Sequence, residues 1–143
     1  MKAAFAEDLH RRNSDHLGFI PRSRLDEYEA NDQILIQKDG SEPCGYLIFG
    51  KEWPFLNIYQ ACIEYDVRRR HHGMEMVDRL EKYAKQNHSG IYLRCREGMS
   101  ANDFWEACGY KIASVEPGGI KRGKQILRWV KEFDNPRQME LFK

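Results

Sequence analysis

The sequence contains no apolar run that approaches the ~20 residues a membrane-spanning helix needs. Its opening stretch, MKAAFAEDLHRRNSDH, has no apolar core of the kind a secretory signal carries, so no export is expected. It also lacks a charge bias: Lys+Arg total 23 against 22 for Asp+Glu, a formal charge of +1. That balance argues against a protein whose main work is to coat nucleic acid or anionic lipid, although it leaves room for a local basic patch. No C-x-x-C pair occurs. The four cysteines, Cys44, Cys62, Cys95 and Cys108, are scattered, and three stand in apolar or strand-like stretches. Buried reduced thiols in a cytoplasmic protein are therefore expected, without a metal site. No internal repeat is visible. With 143 residues, the chain has the length of one ordinary domain with a real core.

Hydrophobic periodicity divides that length into ten elements. Residues 3–13 place Ala3, Phe5, Ala6 and Leu9 on one helical side. The loop HLGFIPR leads to a second helix, RLDEYEA, that Ser23 is expected to cap. ILIQKDGSEPCGYLIFGK reads as strand, turn and strand around Asp39-Gly40. FLNIYQACI is almost continuously apolar or small, as for a strand covered on both faces. In GMEMVDRLEKYAKQ, Met76, Val77, Leu80, Tyr83 and Ala84 fall at helical spacing. IYLRCR alternates as a half-buried strand. Ser100 and Asp103 suggest a capping box for the short helix ANDFWEAC, which stops at Gly109. Two strands then flank the basic turn PGGIKRGK. Among the remaining aromatics, Trp53, Trp105, Trp129 and Phe104 are expected to line a core or groove. The order α-α-β-β-β-α-β-α-β-β predicts an α+β (mixed α/β) domain over residues 1–133 with a mixed sheet. From Asp134 the composition changes, and residues 134–143 read as a flexible tail.

One junction points to chemistry. In ACIEYDVRRRHHGMEMV an apolar strand runs into three arginines and a glycine where a helix starts. A helix N-terminus offers free backbone N–H groups and a positive dipole end, and Arg68, Arg69 and Arg70 add full charges. Gly73 permits a close backbone approach. A diphosphate-bearing ligand fits such a junction. A solvated basic helix start fits the same residues.

The segment resembles motif A of the GNAT acetyltransferases, (Q/R)-x-x-G-x-(G/A) after an apolar strand. Arg68 takes the Q/R place and Gly73 the final place, while His71 stands where the family has its first glycine. ANDFWEACGY resembles motif B, and the resemblance extends from Ala3 to Phe133, with the family's first strand missing or short. It implies a GNAT fold: a mostly antiparallel mixed sheet with splayed fourth and fifth strands, helices on both faces, and acetyl-CoA as cosubstrate. Carried over, backbone contacts to pantetheine fall at Ala61, Cys62 and Ile63. Those to pyrophosphate fall at Arg69, Arg70, His71, His72, Gly73 and Met74, beside Arg68, and Asn102 could reach the cofactor. A primary amine would attack the thioester directly, its carbonyl polarised by the backbone near Ile63. The family's proton-transfer positions hold Asn57, Arg94 and Trp105 in this chain. Glu64 is then the candidate base, and Tyr110 and Tyr92 are the candidate acids. Arg94 and Arg96 would flank the cofactor, although outward-facing strand arginines are common.

The tail's QMELF resembles the pentapeptide by which bacterial proteins dock on the DNA polymerase sliding clamp. Gln138, Leu141 and Phe142 would make the contact, and a bacterial or phage source would follow. The tail could instead pack on its own domain or on a second copy in a homodimer. Three functions stay open at this level: an amine acetyltransferase acting on small molecules or proteins, a phage-type enzyme that modifies a DNA base, and a non-catalytic CoA-binding module. The basic turn with Lys121, Arg122 and Lys124 motivates the second, and the His71, Trp105 and Asn57 departures motivate the third.

Overall fold

A computed structural model of the chain describes residues 1–14, 17–64, 71–118 and 124–134. Its elements follow the expected order: α1 (Lys2–Arg12), α2 (Arg22–Ala30), β1 (Ile34–Asp39), β2 (Glu42–Gly50), β3 (Phe55–Ile63), α3 (His72–Ala84), β4 (Gly90–Arg96), α4 (Ala101–Ala107), β5 (Lys111–Pro117) and β6 (Gln125–Glu132). The strands form a six-stranded mixed sheet in the order β1-β2-β3-β4-β6-β5. Contacts divide the chain into two compact units, Met1–Lys51 with Tyr59–Leu80, and Glu52–Ile58 with the described residues from Glu81 on.

In the first unit, β1 and β2 make an antiparallel hairpin whose register shifts between Gln37 and Lys38. Gly40 carries φ 64 in its turn, a left-handed backbone that suits glycine. Ala3, Ala6 and Leu9 of α1 and Leu25 of α2 pack with Ile34, Tyr46, Ile48 and Cys62. Burying a side chain such as Leu9 contributes about 1.5–3 kcal/mol. The start of α1 is capped from outside its own sequence. Ala3 donates its backbone N–H to Glu29 Oε1 at 2.6 Å, and the Met1 amino group lies 3.1 Å from the same oxygen. These donors hold the Glu29 carboxyl below the usual carboxylate range.

In the second unit, β3 and β4 run parallel from Phe55↔Gly90 to Ile58↔Leu93. β4 pairs antiparallel with β6 along its whole length, and β5 closes on β6 with a register shift between Ile112 and Ser114. Gly90 is required where strands crowd: a Cβ there would meet the Phe55 ring at 2.8 Å. Trp105, Tyr110 and Trp129 are buried, and Trp105 meets Tyr110 edge-on at 5.4 Å between ring centroids.

Several local expectations are corrected. Ser23 lies inside α2, whose N-cap is Pro21, because proline's fixed φ and extended ψ already set the entry to the helix. Ser100 is the N-cap of α4 but has helical backbone angles and makes no side-chain cap. β3 alternates between buried and half-exposed positions rather than being covered on both faces, and Tyr59 is exposed beside Tyr28. On α3, Tyr83 points outward and Glu81 takes the buried place on the apolar stripe. Trp53 is also exposed, with its indole N–H donated to Asn87 O at 3.1 Å.

Candidate functional site

The junction between β3 and α3 lies in the first unit. Residues 65–70, with Arg68, Arg69 and Arg70 among them, fall outside the described residues. His71 is described, and its backbone φ is 64. A non-glycine residue there is uncommon, and a left-handed residue costs roughly 1–2 kcal/mol relative to the ordinary helical region. His71 stands where the motif has its first glycine, the residue type that takes such a backbone at no steric cost. Its carbonyl accepts the first helical bond of α3, from Glu75 N–H at 3.1 Å. The N–H groups of His72, Gly73 and Met74 precede that bond, at the positive end of the helix dipole.

His72 is 8% exposed, and neither ring nitrogen has a hydrogen-bond partner among the described residues. Two carboxylates stand near it without the direction of a hydrogen bond: Asp39 Oδ1 is 3.4 Å from Nε2, and Glu75 Oε2 is 3.8 Å from Nδ1. Glu75 is itself engaged by Gln37, whose Nε2 donates at 3.0 Å, and Arg79 donates to Gln37 Oε1 at 3.1 Å. A buried ring that forfeits hydrogen bonds costs about 1–3 kcal/mol.

Upstream, Ala61, Cys62 and Ile63 close β3 beside Gly45 of β2, where a Cβ would come within 2.9 Å of Cys62 O. The pairing continues one residue further, with Glu64 N–H donated to Cys44 O at 2.6 Å. Glu64 is not a lone carboxylate. Arg12 Nη1 donates to Glu64 Oε1 while Nη2 bonds Asp8 at 3.1 Å, and these acceptors raise the guanidinium's pKa.

The other expected residues lie in the second unit. Tyr110 is buried, and its hydroxyl donates to Glu81 Oε2 at 3.1 Å; burial first, then the Glu81 charge, push its pKa far up. Lys131 Nζ completes that network with bonds to Glu81 Oε1 at 2.9 Å and Cys108 O at 3.0 Å. Tyr92 is half-buried beneath the Arg128 guanidinium, 4.4 Å from the ring centroid, in register with Asn57 and Val130. Asn102 has both polar ends engaged: Nδ2 donates to Arg96 O and Met99 O, and Oδ1 accepts from Trp129 Nε1 at 2.9 Å. Arg94 Nε lies 3.6 Å from Glu116 Oε2. The cysteines form no disulfide; Cys44 and Cys62 are buried, and burial pushes Cys108 up to about 11. Gln138, Leu141 and Phe142 lie outside the described residues. Among the described residues no His/Cys/Asp/Glu group could hold a metal ion, and no helix is long and apolar enough to cross a membrane.

Sequence reasoning missed Glu81. The available signal was its position four residues after Val77, on the apolar stripe of α3, where a carboxylate needs a partner.

The model of the Acetyltransferase (GNAT) family matches residues 3–110. The chain belongs to this family. It is therefore an N-acetyltransferase by class, with the mixed-sheet fold of that family. No curated protein matches the sequence significantly. Among solved structures, Ard1 from Thermoplasma volcanium aligns at 13% identity over 92% of this chain and 93% of its own, with TM-score 0.78. An aminoglycoside 6'-N-acetyltransferase complexed with coenzyme A aligns at 18% identity over 91% of this chain and 89% of its own, with TM-score 0.77. A provisionally assigned streptothricin acetyltransferase from Bacillus anthracis str. Ames, solved with acetyl coenzyme A, shares 22% identity over 71% of this chain, with TM-score 0.66. This chain spans 62% of that protein's length. These likenesses establish the fold.

Proposed function

We propose that the chain transfers an acetyl group from acetyl-CoA to a primary amine of a small molecule or protein, by direct attack of the amine on the thioester. The observation that carries this reading is the left-handed His71 at the first-glycine place of motif A, set at the start of α3. The coenzyme A and acetyl coenzyme A in the similar structures support it, as does the amine chemistry named for the aminoglycoside enzyme. In this reading Arg69, Arg70 and the N–H groups from His71 to Met74 take the pyrophosphate, with Arg68 adding charge beside them. The backbone of Ala61, Cys62 and Ile63 takes the pantetheine, and an N–H near Ile63 polarises the thioester carbonyl.

The departing thiolate needs a proton. Tyr92 is proposed to supply it, because the Tyr110 hydroxyl is already donated to Glu81. Glu64, bound to Arg12, contributes a fixed charge beside the end of β3. Residues 1–133 form the catalytic domain in this proposal. Residues 134–143 form an appended peptide whose Gln138, Leu141 and Phe142 dock on a bacterial sliding clamp.

The reading is tested by thermal shift with acetyl-CoA, followed by thiol release over a panel of amines, peptides and DNA. Stabilisation and amine-dependent release are expected. No stabilisation at millimolar acetyl-CoA sinks the enzyme reading and the CoA-binding-module alternative together. Release with DNA alone would transfer the activity to base modification. The tail is tested by clamp pull-down, which Phe142→Ala should abolish.

A further inference from the structure

An ammonium must lose a proton before it can attack, and the sequence-derived carboxylate for that step, Glu64, is ion-paired with Arg12. The first unit holds another basic group beside the same strand. His10, on α1, brings Nε2 to 2.7 Å from the backbone carbonyl of Gly18 in the α1–α2 loop. A carbonyl only accepts, so Nε2 carries the hydrogen and Nδ1 carries the lone pair of the neutral ring. The same Gly18 oxygen accepts a second bond, from Gln60 Nε2 at 2.9 Å. Gln60 Oε1 in turn accepts the Tyr46 hydroxyl at 2.6 Å, and that tyrosine is wholly buried. His10 therefore lies within two hydrogen-bond lengths of the Gln60 amide, one residue before Ala61. The loop that orients it also presents Phe19, 82% exposed and edge-on to the His10 ring at 6.3 Å.

We propose that His10 Nδ1 takes the proton from the acceptor's ammonium, with Phe19 as the apolar contact for the acceptor's body. The inference rests on the proposed function and names a base for it. The ammonium passes one proton to Nδ1, and the resulting imidazolium keeps its Nε2–H bond to Gly18 O. The free amine then attacks: the C–N bond forms, the C–S bond breaks, and its electron pair leaves on sulfur. The second amine proton, lost as the amide forms, balances the proton that Tyr92 gives the thiolate to make the free thiol, and the imidazolium returns its proton to solvent.

Among the described residues, the charged groups on α1 near His10 are committed elsewhere. On α1, Arg12 is bound to Glu64 and Asp8, and Glu7 pairs with Arg11 and Arg22. From β2 and β3 the nearest polar groups in this network are the neutral Tyr46 hydroxyl and Gln60 amide. The carbonyl–imidazole pairing thus leaves Nδ1 as the base, and no carboxylate relay is required.

His10→Gln and His10→Ala separate the proposed role from a structural one. Glutamine can keep a donor on Gly18 O but cannot accept the proton. The expected result for His10→Gln is an acetyl-CoA Kd within about twofold of wild type and a kcat/KM at least 100-fold lower, with the wild-type acid limb of the pH–rate profile lost. Added imidazole should restore turnover to His10→Ala and not to His10→Gln. Full turnover by His10→Gln with acetyl-CoA binding intact overturns the base and leaves the acetyltransferase reading standing. So does an unchanged pH profile, or His10→Ala that imidazole fails to restore. A wild-type chain that binds no acetyl-CoA, or binds it and acetylates no amine of the panel, overturns the inference along with the function it rests on.

Discussion

The two ends of α3 bury polar side chains in opposite ways. At the start, His72 is 8% exposed and its ring nitrogens lack hydrogen bonds among the described residues. Near the end, Glu81 is 6% exposed, yet it accepts from Tyr110 and from Lys131. A buried carboxylate is tolerable only when its oxygens are answered, and the second unit answers both. An orphaned imidazole next to a left-handed residue is a liability for folding. The end at Glu81 is thus satisfied within the second unit, while the start leaves His72 near two carboxylates without a hydrogen bond among the described residues.

Breaking the satisfied end should have the largest effect. Glu81→Ala leaves the buried Tyr110 hydroxyl without its acceptor and the Lys131 ammonium with Cys108 O alone, and should cost about 3–5 kcal/mol in urea denaturation. Tyr110→Phe removes one bond of the network and should cost about 1–2 kcal/mol, with acetyl-CoA affinity unchanged. If Tyr110→Phe abolished turnover while folding normally, the hydroxyl would belong to the chemistry rather than to the network.

The start of the helix should respond with the opposite sign. His72→Leu replaces an orphaned polar ring with an apolar side chain, and should leave stability unchanged or raise it by about 1 kcal/mol while weakening acetyl-CoA binding. His71→Gly should relieve the left-handed backbone and raise stability by about 0.5–1 kcal/mol on thermal melting. A loss of stability in His71→Gly would remove the strain from the account.

The smallest effect should appear at low pH, in the first unit. Glu29's folded pKa is depressed, chiefly by the Ala3 N–H. Its contribution to docking α1 is complete above the ordinary glutamate pKa of about 4.3 and is lost as pH falls through the lower, folded value. Amide exchange along Ala3–Leu9 should therefore quicken below about pH 4 in wild type, and that pH dependence should vanish in Glu29→Gln.

Much of this was legible in the sequence. Apolar spacing gave the ten elements in order, and β3 ended where its composition changed, because periodicity is a local property of the chain. The end of β3 and the start of α3, on either side of residues 65–70, were legible for the same reason. What stayed hidden depended on partners distant in sequence. Glu29 caps α1 from 26 residues away, and nothing near Ala3 announces it. Glu81 sits on the apolar stripe of α3, but its partners Lys131 and Tyr110 lie far along the chain. Ser23 and Ser100 had the chemistry of caps without the backbone that capping requires. His10 stood on a helix beside two arginines, and only the fold places Gly18 and Gln60 against it.

Calorimetric titration of acetyl-CoA into the wild-type chain and into Arg69→Ala/Arg70→Ala tests the central claim most directly. A diphosphate held at the start of α3 predicts saturable one-to-one binding by wild type, weakened at least tenfold in the double variant and further weakened by salt. Equal affinity in both proteins, or no binding to wild type, would contradict a cofactor site at the β3–α3 junction.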